Sequence, residues 1–346
     1  MKVLVTGAAG FIGTAVVDGL RERGHEVLGV DAMIPQAHVT STAPDGVHRV
    51  DVRDAAEWAG LLRGVDVVSH QAAMVGAGVS VGDLPHYAAH NDLGTAALLA
   101  AMHQAGVGRL VLASSMVVYG EGGYRCPVHG RQAPGARQVE ALEAGVFDHR
   151  CPRCARPLAW EPVTEDAPLM PRSGYAASKV AQEHYVSTWT RQAPGAAVAL
   201  RYHNVYGPGM PRSSPYSGVA ALFRSAVEEG QAPSVFEDGG QMRDFVHVTD
   251  VARANALAVE AVLGHDDGSF AAFNVCSGRP VSVLDVARAV ARGAGGPEPV
   301  VTGAYRPGDV RHVVASATWA RAELGFIARV GPFEGLPAFA DVPLRT

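Results

Sequence analysis

One glycine-rich turn constrains this chain more than any other feature. The segment Thr6 to Gly13, "TGAAGFIG", follows the apolar run "KVLV" (Lys2 to Val5) and opens a helically spaced stretch from Phe11 to Arg23. Gly7, Gly10 and Gly13 recur at every third position, where a side chain would block both the tight turn and the approach of a pyrophosphate to the helix N-terminus. The next hundred residues follow the same strand-then-helix pattern. "HEVLGVD" (His25 to Asp31), "VHRVDV" (Val47 to Val52), "VDVVSHQAA" (Val65 to Ala73) and "RLVLASS" (Arg109 to Ser115) read as strands, and Ala55 to Leu62 and Asn91 to Ala105 as helices.

Such alternation predicts an α/β fold, a doubly wound parallel sheet of the Rossmann type. Regularity stops at Gly120. From Glu121 to about Trp160 the chain is rich in Gly, Pro, Arg and Cys, with one helical candidate at Arg137 to Phe147. A stretch this long inside a compact domain needs its own source of order, so residues 121–162 are expected to form an insertion. The pattern resumes with a helix at Tyr175 to Arg191 and a strand at Ala197 to Val205. Beyond Gly207 come a helix from Gly218 to Glu229, short strands at "PSVFED" and "RDFVHV", and a helix from Asp250 to Leu263. The expected division is a dinucleotide-binding domain over 1–206 and a smaller C-terminal substrate lobe over 207–346, with 243–263 returning to the first domain.

The formal net charge of −5, with 29 Lys and Arg in no dense run, leaves no basic footprint and argues against a nucleic-acid partner. The first apolar run is too short for a secretory core and no stretch approaches 18 uninterrupted apolar residues, so a cytoplasmic protein with no membrane partner is expected.

Asp31 closes the second strand, where an acid accepts hydrogen bonds from the adenosine ribose and repels a 2′-phosphate; this favours NAD over NADP. Asp51 and Val52, after the third strand, are placed to hold the adenine. Further on, Tyr175 and Lys179 in "YAASK" stand four apart on one helix face, and an ammonium there favours a phenolate able to act as a base. Ser115 ends the preceding core strand and points a hydroxyl into the ligand crevice.

With these residues in view, the chain resembles the extended short-chain dehydrogenase/reductase family, in its nucleotide-sugar epimerase and dehydratase branch. The resemblance covers nearly the whole chain: "TGAAGFIG", "HQAA" (His70 to Ala73), "NDLGT" (Asn91 to Thr95), "SSMVVYG", "YAASK", "RYHNVYGPG" (Arg201 to Gly209), "RDFVHVTDV" (Arg243 to Val251) and "RPGD" (Arg306 to Asp309). It implies that Ser115, Tyr175 and Lys179 are the catalytic triad, with Asn91 supporting the lysine through water. Cofactor contacts are implied for Phe11, Ile12, Ala72, Ala73, Tyr202 and Val205 as well. Asn204, Arg243 and Arg306 are implied ligands of the diphosphate and Asp309 of the nucleoside. Relatives also pair through the helices matching Asn91–Ala105 and Tyr175–Arg191, so a homodimer is expected.

Met116 and Val117 follow Ser115 where the dehydratases of this branch carry an Asp-Glu pair. Neither side chain transfers a proton, which leaves a 4-epimerase as the expected activity. Their apolar wall suits a 6-deoxy sugar. The insertion and the segment Gly207 to Ser225 resemble proteins of the dTDP-L-rhamnose 4-epimerase type, which points to a dTDP-6-deoxyhexose. The alternatives are a UDP-glucuronate or UDP-galactose type 4-epimerase, with Arg172 available to a uronate carboxylate, a net reductase, and an NAD-binding scaffold without turnover.

Three of the four cysteines lie in the insertion: Cys126 and His129 in "RCPVHG", Cys151 and Cys154 in "HRCPRC". Two such knuckles supply four ligands of the kind that closes a structural, tetrahedral zinc site. Free surface thiols or a Cys-x-x-Cys redox pair are the other readings, and His149 is the reserve ligand. Cys276, His70 and His203 are expected to be mainly structural.

Overall fold

The computed structural model describes all residues except 36, 39, 77–79, 213–217 and 346. Seven parallel strands form the central sheet: β1 (Lys2–Thr6), β2 (Glu26–Asp31), β3 (Val47–Arg49), β4 (Val67–His70), β5 (Arg109–Ser115), β6 (Ala196–Tyr202) and β7 (Phe270–Val275). Their order is β7-β6-β5-β4-β1-β2-β3, so the winding reverses at β1. That reversal opens a crevice at the carboxyl ends of β1 and β4, where doubly wound folds take their ligands. β5 and β6 read as almost unbroken apolar runs because both faces of the sheet are covered.

One face carries α1 (Phe11–Glu22) and α5 (Val248–Ala261); the other carries α2 (Gly94–Ala105) and α3 (Gly174–Gln192). A second lobe packs α4 (Val219–Glu228) and α6 (Val283–Gly293) around Phe223, Phe245, Leu336 and Phe339. The sheet collects one strand that the sequence pattern did not single out, β7, from beyond the expected return at 243–263. Among the described residues no helix is long and apolar enough to cross a membrane.

Several expected elements are shorter. Ala55–Leu62 is not a helix; a 3₁₀ turn covers Ala59–Leu62, with another at Val52–Asp54. β3 keeps only three of its six expected residues. The helical candidate in the insertion shrinks to Val139–Glu143: Arg137 is drawn into ion pairing, and Gly145 ends the turn at φ 72°. The insertion is otherwise a three-stranded antiparallel sheet of Gly123–Cys126, Gly130–Gln132 and Ala159–Glu161.

Candidate active site

The turn after β1 is built for close approach. Gly7 adopts φ +65°, and a Cβ there would lie 2.7 Å from the Ala72 nitrogen; a Cβ on Gly13 would fall 1.9 Å from the Gly7 carbonyl oxygen. The first turn of α1, from Phe11 to Gly13, carries N–H groups that a helix leaves without carbonyl partners, a natural cradle for a pyrophosphate. Asp31 is buried beside it. Its carboxylate accepts from Ala9 N at 3.0 Å and Met33 N at 2.8 Å, and faces His38 Nε2 at 3.2 Å. With three of about four lone-pair positions engaged, room is left for one ribose hydroxyl rather than two.

These residues fit a dinucleotide. Other candidates are more committed to structure. Asp51 is held by the Arg53 guanidinium at 2.7 Å; burial pushes its carboxyl up, but the Arg53 hydrogen bonds outweigh this and the net shift is downward. Val52 packs beneath Gly94. Tyr202 lies in the core with its hydroxyl bonded to Gln71 and Asn255, so its side chain is not free to hold a ligand; Val205 and Ile12 pack on the same cluster, and Phe11 on that of the second lobe. Ala73, partly buried, follows Ala72 at the end of β4.

Ser115 ends β5 and Tyr175 and Lys179 enter from α3. The Lys179 amine donates to the Ala113 carbonyl at 2.9 Å. Burial pulls this lysine down to about 7, partly opposed by Glu183 one turn along. Burial also pushes the Tyr175 phenol up to about 12, while a hydrogen bond with the Ser115 hydroxyl pulls it back. Ser115 Oγ accepts from Val117 N at 3.3 Å, which starts the 3₁₀ turn Met116–Tyr119 and leaves Met116 and Val117 half-buried.

Asn91 is anchored by three direct hydrogen bonds. Its amide donates to Met74 O at 2.9 Å and Ser178 Oγ at 2.8 Å, and its carbonyl accepts from Met74 N at 2.7 Å. The side chain is thus tied to Ser178, the residue before Lys179. It sits in a π-helical stretch, Ala88–Leu93, a distortion common at functional sites that no residue pattern announced. His70 is structural, bridging Thr6 Oγ1 at 2.7 Å and Thr95 Oγ1 at 3.0 Å, with burial pulling it down to about 3.

A cleft of about 410 Å³ brings together Asn204, Arg243, Arg306 and Asp309 with Leu222, Phe236, Glu237 and Gln241. Asn204 Oδ1 and Gln241 Oε1 are buried with no partner among the described residues, as expected of atoms awaiting a polar ligand. Arg306 stacks over the Phe236 ring at 5.0 Å. Arg243 donates to the carbonyls of Met242, Arg311 and Val310 at 2.9, 2.8 and 2.7 Å, which commits three of its five donors to the cleft wall. Phe236, Gln241 and Leu222 were missed by sequence reasoning, having no motif of their own. Arg172 is exposed and turned toward Pro134, away from this cleft. Part of the Gly207–Ser225 segment lies outside the described residues.

The insertion gathers Cys126, His129, Cys151 and Cys154 so that their ligand atoms all lie within 4.8 Å of one another. His149 is not among them; it faces Glu121 at 3.1 Å and meets the Tyr124 ring edge-on. Cys276 is buried elsewhere.

Comparison with known proteins agrees with this layout. The chain is 36% identical over 335 residues to a dTDP-L-rhamnose 4-epimerase of Burkholderia thailandensis, covering 94% of this chain and 90% of that one. It is 32% identical over 350 residues to a UDP-glucose 4-epimerase of Mycolicibacterium smegmatis, covering 97% and 96%. The crystal structure of a Thermus thermophilus UDP-glucose 4-epimerase complex with NAD superposes with a TM-score of 0.76 at 34% identity, over 99% of this chain and 98% of that one. The pattern of the NAD dependent epimerase/dehydratase family matches residues 3–140 and 152–276, and the chain belongs to that family.

Proposed function

We propose that the chain is an NAD-dependent 4-epimerase of nucleotide sugars, acting on a dTDP-6-deoxyhexose such as dTDP-L-rhamnose. The observation that carries this reading is the convergence of Ser115, Tyr175 and Lys179 at the carboxyl edge of the sheet, with no proton-transferring side chain at Met116 or Val117. Asn204, Arg243 and Arg306 hold the diphosphate, and Asp309 the nucleoside, in the cleft of the second lobe. Asp31 and the Gly7–Gly13 turn hold the cofactor. NAD, when bound, supplies a reversible acceptor for the hydride of carbon 4.

Tyr175 removes the proton of the carbon-4 hydroxyl as a phenolate, with Ser115 sharing that proton; the ammonium of Lys179 one helical turn away favours the phenolate. The 4-keto sugar turns about its diphosphate bonds, and Tyr175 returns the proton as carbon 4 is reduced from the other face. Net redox change is zero. The reaction draws on no residue of the Cys/His cluster. The orientation of Arg172 supports a neutral sugar over a uronate. A homodimer through α2, the π-helical turn before it and α3 accords with Leu93 and Tyr185, which are 57% and 46% exposed; sedimentation tests it.

The deciding experiment is NMR of the purified protein with dTDP- and UDP-sugars, with inversion at carbon 4 of a dTDP-6-deoxyhexose expected. Inversion of UDP-sugars alone would transfer the reading to the UDP alternative. Stoichiometric NADH release without inversion would make the protein a reductase.

A further inference from the structure

We propose that Cys126, His129, Cys151 and Cys154 bind one zinc ion, and that this ion anchors the insertion as a brace for the loop Arg306–His312 on the wall of the nucleotide cleft. The second half rests on the reading of that cleft as the substrate site; the first does not.

Three of the six pairs of ligand atoms stand at tetrahedral spacing, and all four atoms lie within 4.8 Å of one another. Zinc bonds of about 2.3 Å to sulfur and about 2.0–2.1 Å to nitrogen place tetrahedral sulfurs about 3.8 Å apart and sulfur–nitrogen pairs about 3.5 Å apart. Here Cys126 Sγ is 3.7 Å from Cys154 Sγ and 3.7 Å from His129 Nδ1, and Cys151 Sγ is 3.5 Å from His129 Nδ1. A sulfur separation of 3.7 Å is too long for a disulfide of about 2.05 Å, and all four cysteines of the chain are unbonded. Three thiolates and a neutral imidazole around a divalent ion leave one negative charge, and Arg125, Arg150, Arg153 and Arg156 neighbour the ligands in sequence.

The same elements reach the cleft wall. Tyr124, two residues before Cys126, packs with Cys126 and Cys151, and its hydroxyl accepts from His312 N at 3.1 Å. Asp148 accepts from Arg311 Nε at 2.7 Å. Arg137 donates to the Asp309 carbonyl at 2.7 Å and pairs with Glu237 at 2.7 Å. Glu237 is the meeting point: it lines the cleft, receives Arg311 at 2.9 Å, and holds a left-handed φ of 54° that is costly for a residue with a side chain. The insertion therefore fixes Asp309 and Glu237 from behind.

The test begins with metal analysis of the intact protein purified without chelator. About one zinc per chain is expected, and cobalt exchanged into the site should show thiolate charge-transfer and strong tetrahedral d–d bands. Cys151→Ser should lower the metal content. Calorimetry with dTDP and UDP then reads the brace: zinc removal and, separately, Arg137→Ala should each weaken nucleotide binding roughly tenfold, as loss of a charged hydrogen bond does, with NAD content unchanged. Arg137→Ala keeps its zinc, so a folding defect from metal loss does not decide the matter. Metal-free protein with freely titrating thiols, or cobalt without thiolate bands, overturns the zinc site. Unchanged nucleotide affinity in both the stripped protein and Arg137→Ala overturns the brace. Failure of the untreated protein to bind either nucleotide would instead sink the substrate reading and with it the brace, and the metal results alone would then decide the zinc site.

Discussion

The amine of Lys179 is tied to the carbonyl oxygen of Ala113 at 2.9 Å, on the strand that ends in Ser115. One hydrogen bond thus joins the helix that carries Tyr175 to the strand that carries its partner hydroxyl. Burial holds this lysine near 7, below its ordinary value. The unfolded chain then binds more protons than the folded one between about pH 7 and 10.5, so this group's contribution to stability rises with pH across that window and is lost as pH falls through it. For the NAD-free protein, the melting-temperature advantage of Lys179→Met over wild type should therefore shrink between pH 7 and pH 10. A constant or growing difference would contradict a buried amine of lowered affinity for protons.

Tyr175→Phe removes one oxygen from the site and should lower kcat by roughly 10²–10⁴-fold, the usual worth of a positioned acid–base group. Bound NAD, released by denaturation and measured by absorbance, should stay at the wild-type level. Turnover within a few-fold of wild type would remove the tyrosine from the chemistry.

Asp31, the proposed ribose ligand, also ties down Ala9 and Met33, the latter at a left-handed φ of 53°. Asp31→Ala should weaken NAD binding by about 10–100-fold, the range of lost charged hydrogen bonds. It should also narrow the preference over NADP by removing the repulsion of a 2′-phosphate. Equilibrium dialysis with both dinucleotides measures the two effects together.

Behind β5, Glu183 and Arg201 form a buried pair at 2.7 Å, with Ser114 Oγ donating to the same carboxylate. Glu183→Ala leaves an uncompensated buried guanidinium and should cost about 3–5 kcal/mol of unfolding free energy in urea. A loss below about 1 kcal/mol would mean that water reaches the pair.

What was legible in the sequence was local. The glycine turn was readable because backbone sterics at Gly7 and Gly13 admit nothing larger, and the four metal-ligand candidates because each knuckle brings its pair together within one turn. Tyr175 and Lys179 were readable for the same reason, as neighbours on a helix face. What escaped were relations across the chain. Nothing near Arg137 announces that it will meet Glu237, and nothing in "NDLGT" announces a π-helical stretch that engages Asn91 with Met74 and Ser178. β7 was missed because an apolar hexapeptide beyond the second lobe looks like part of that lobe until the sheet claims it. Arg172 illustrates the converse: a cation beside the catalytic helix in sequence turns to the insertion in space.

The two ends of the segment between Val118 and Met170 touch: Met170 N donates to Val118 O at 2.9 Å, and Gly120 passes so close that a Cβ would lie 2.0 Å from Met170 O. A chain whose exit and entrance touch is topologically a plug-in cassette. Its length is nearly free to drift, since doubling a closed loop adds only about 0.6 kcal/mol of closure entropy. Related enzymes can then diverge in this one stretch while the strand and helix on either side keep their register.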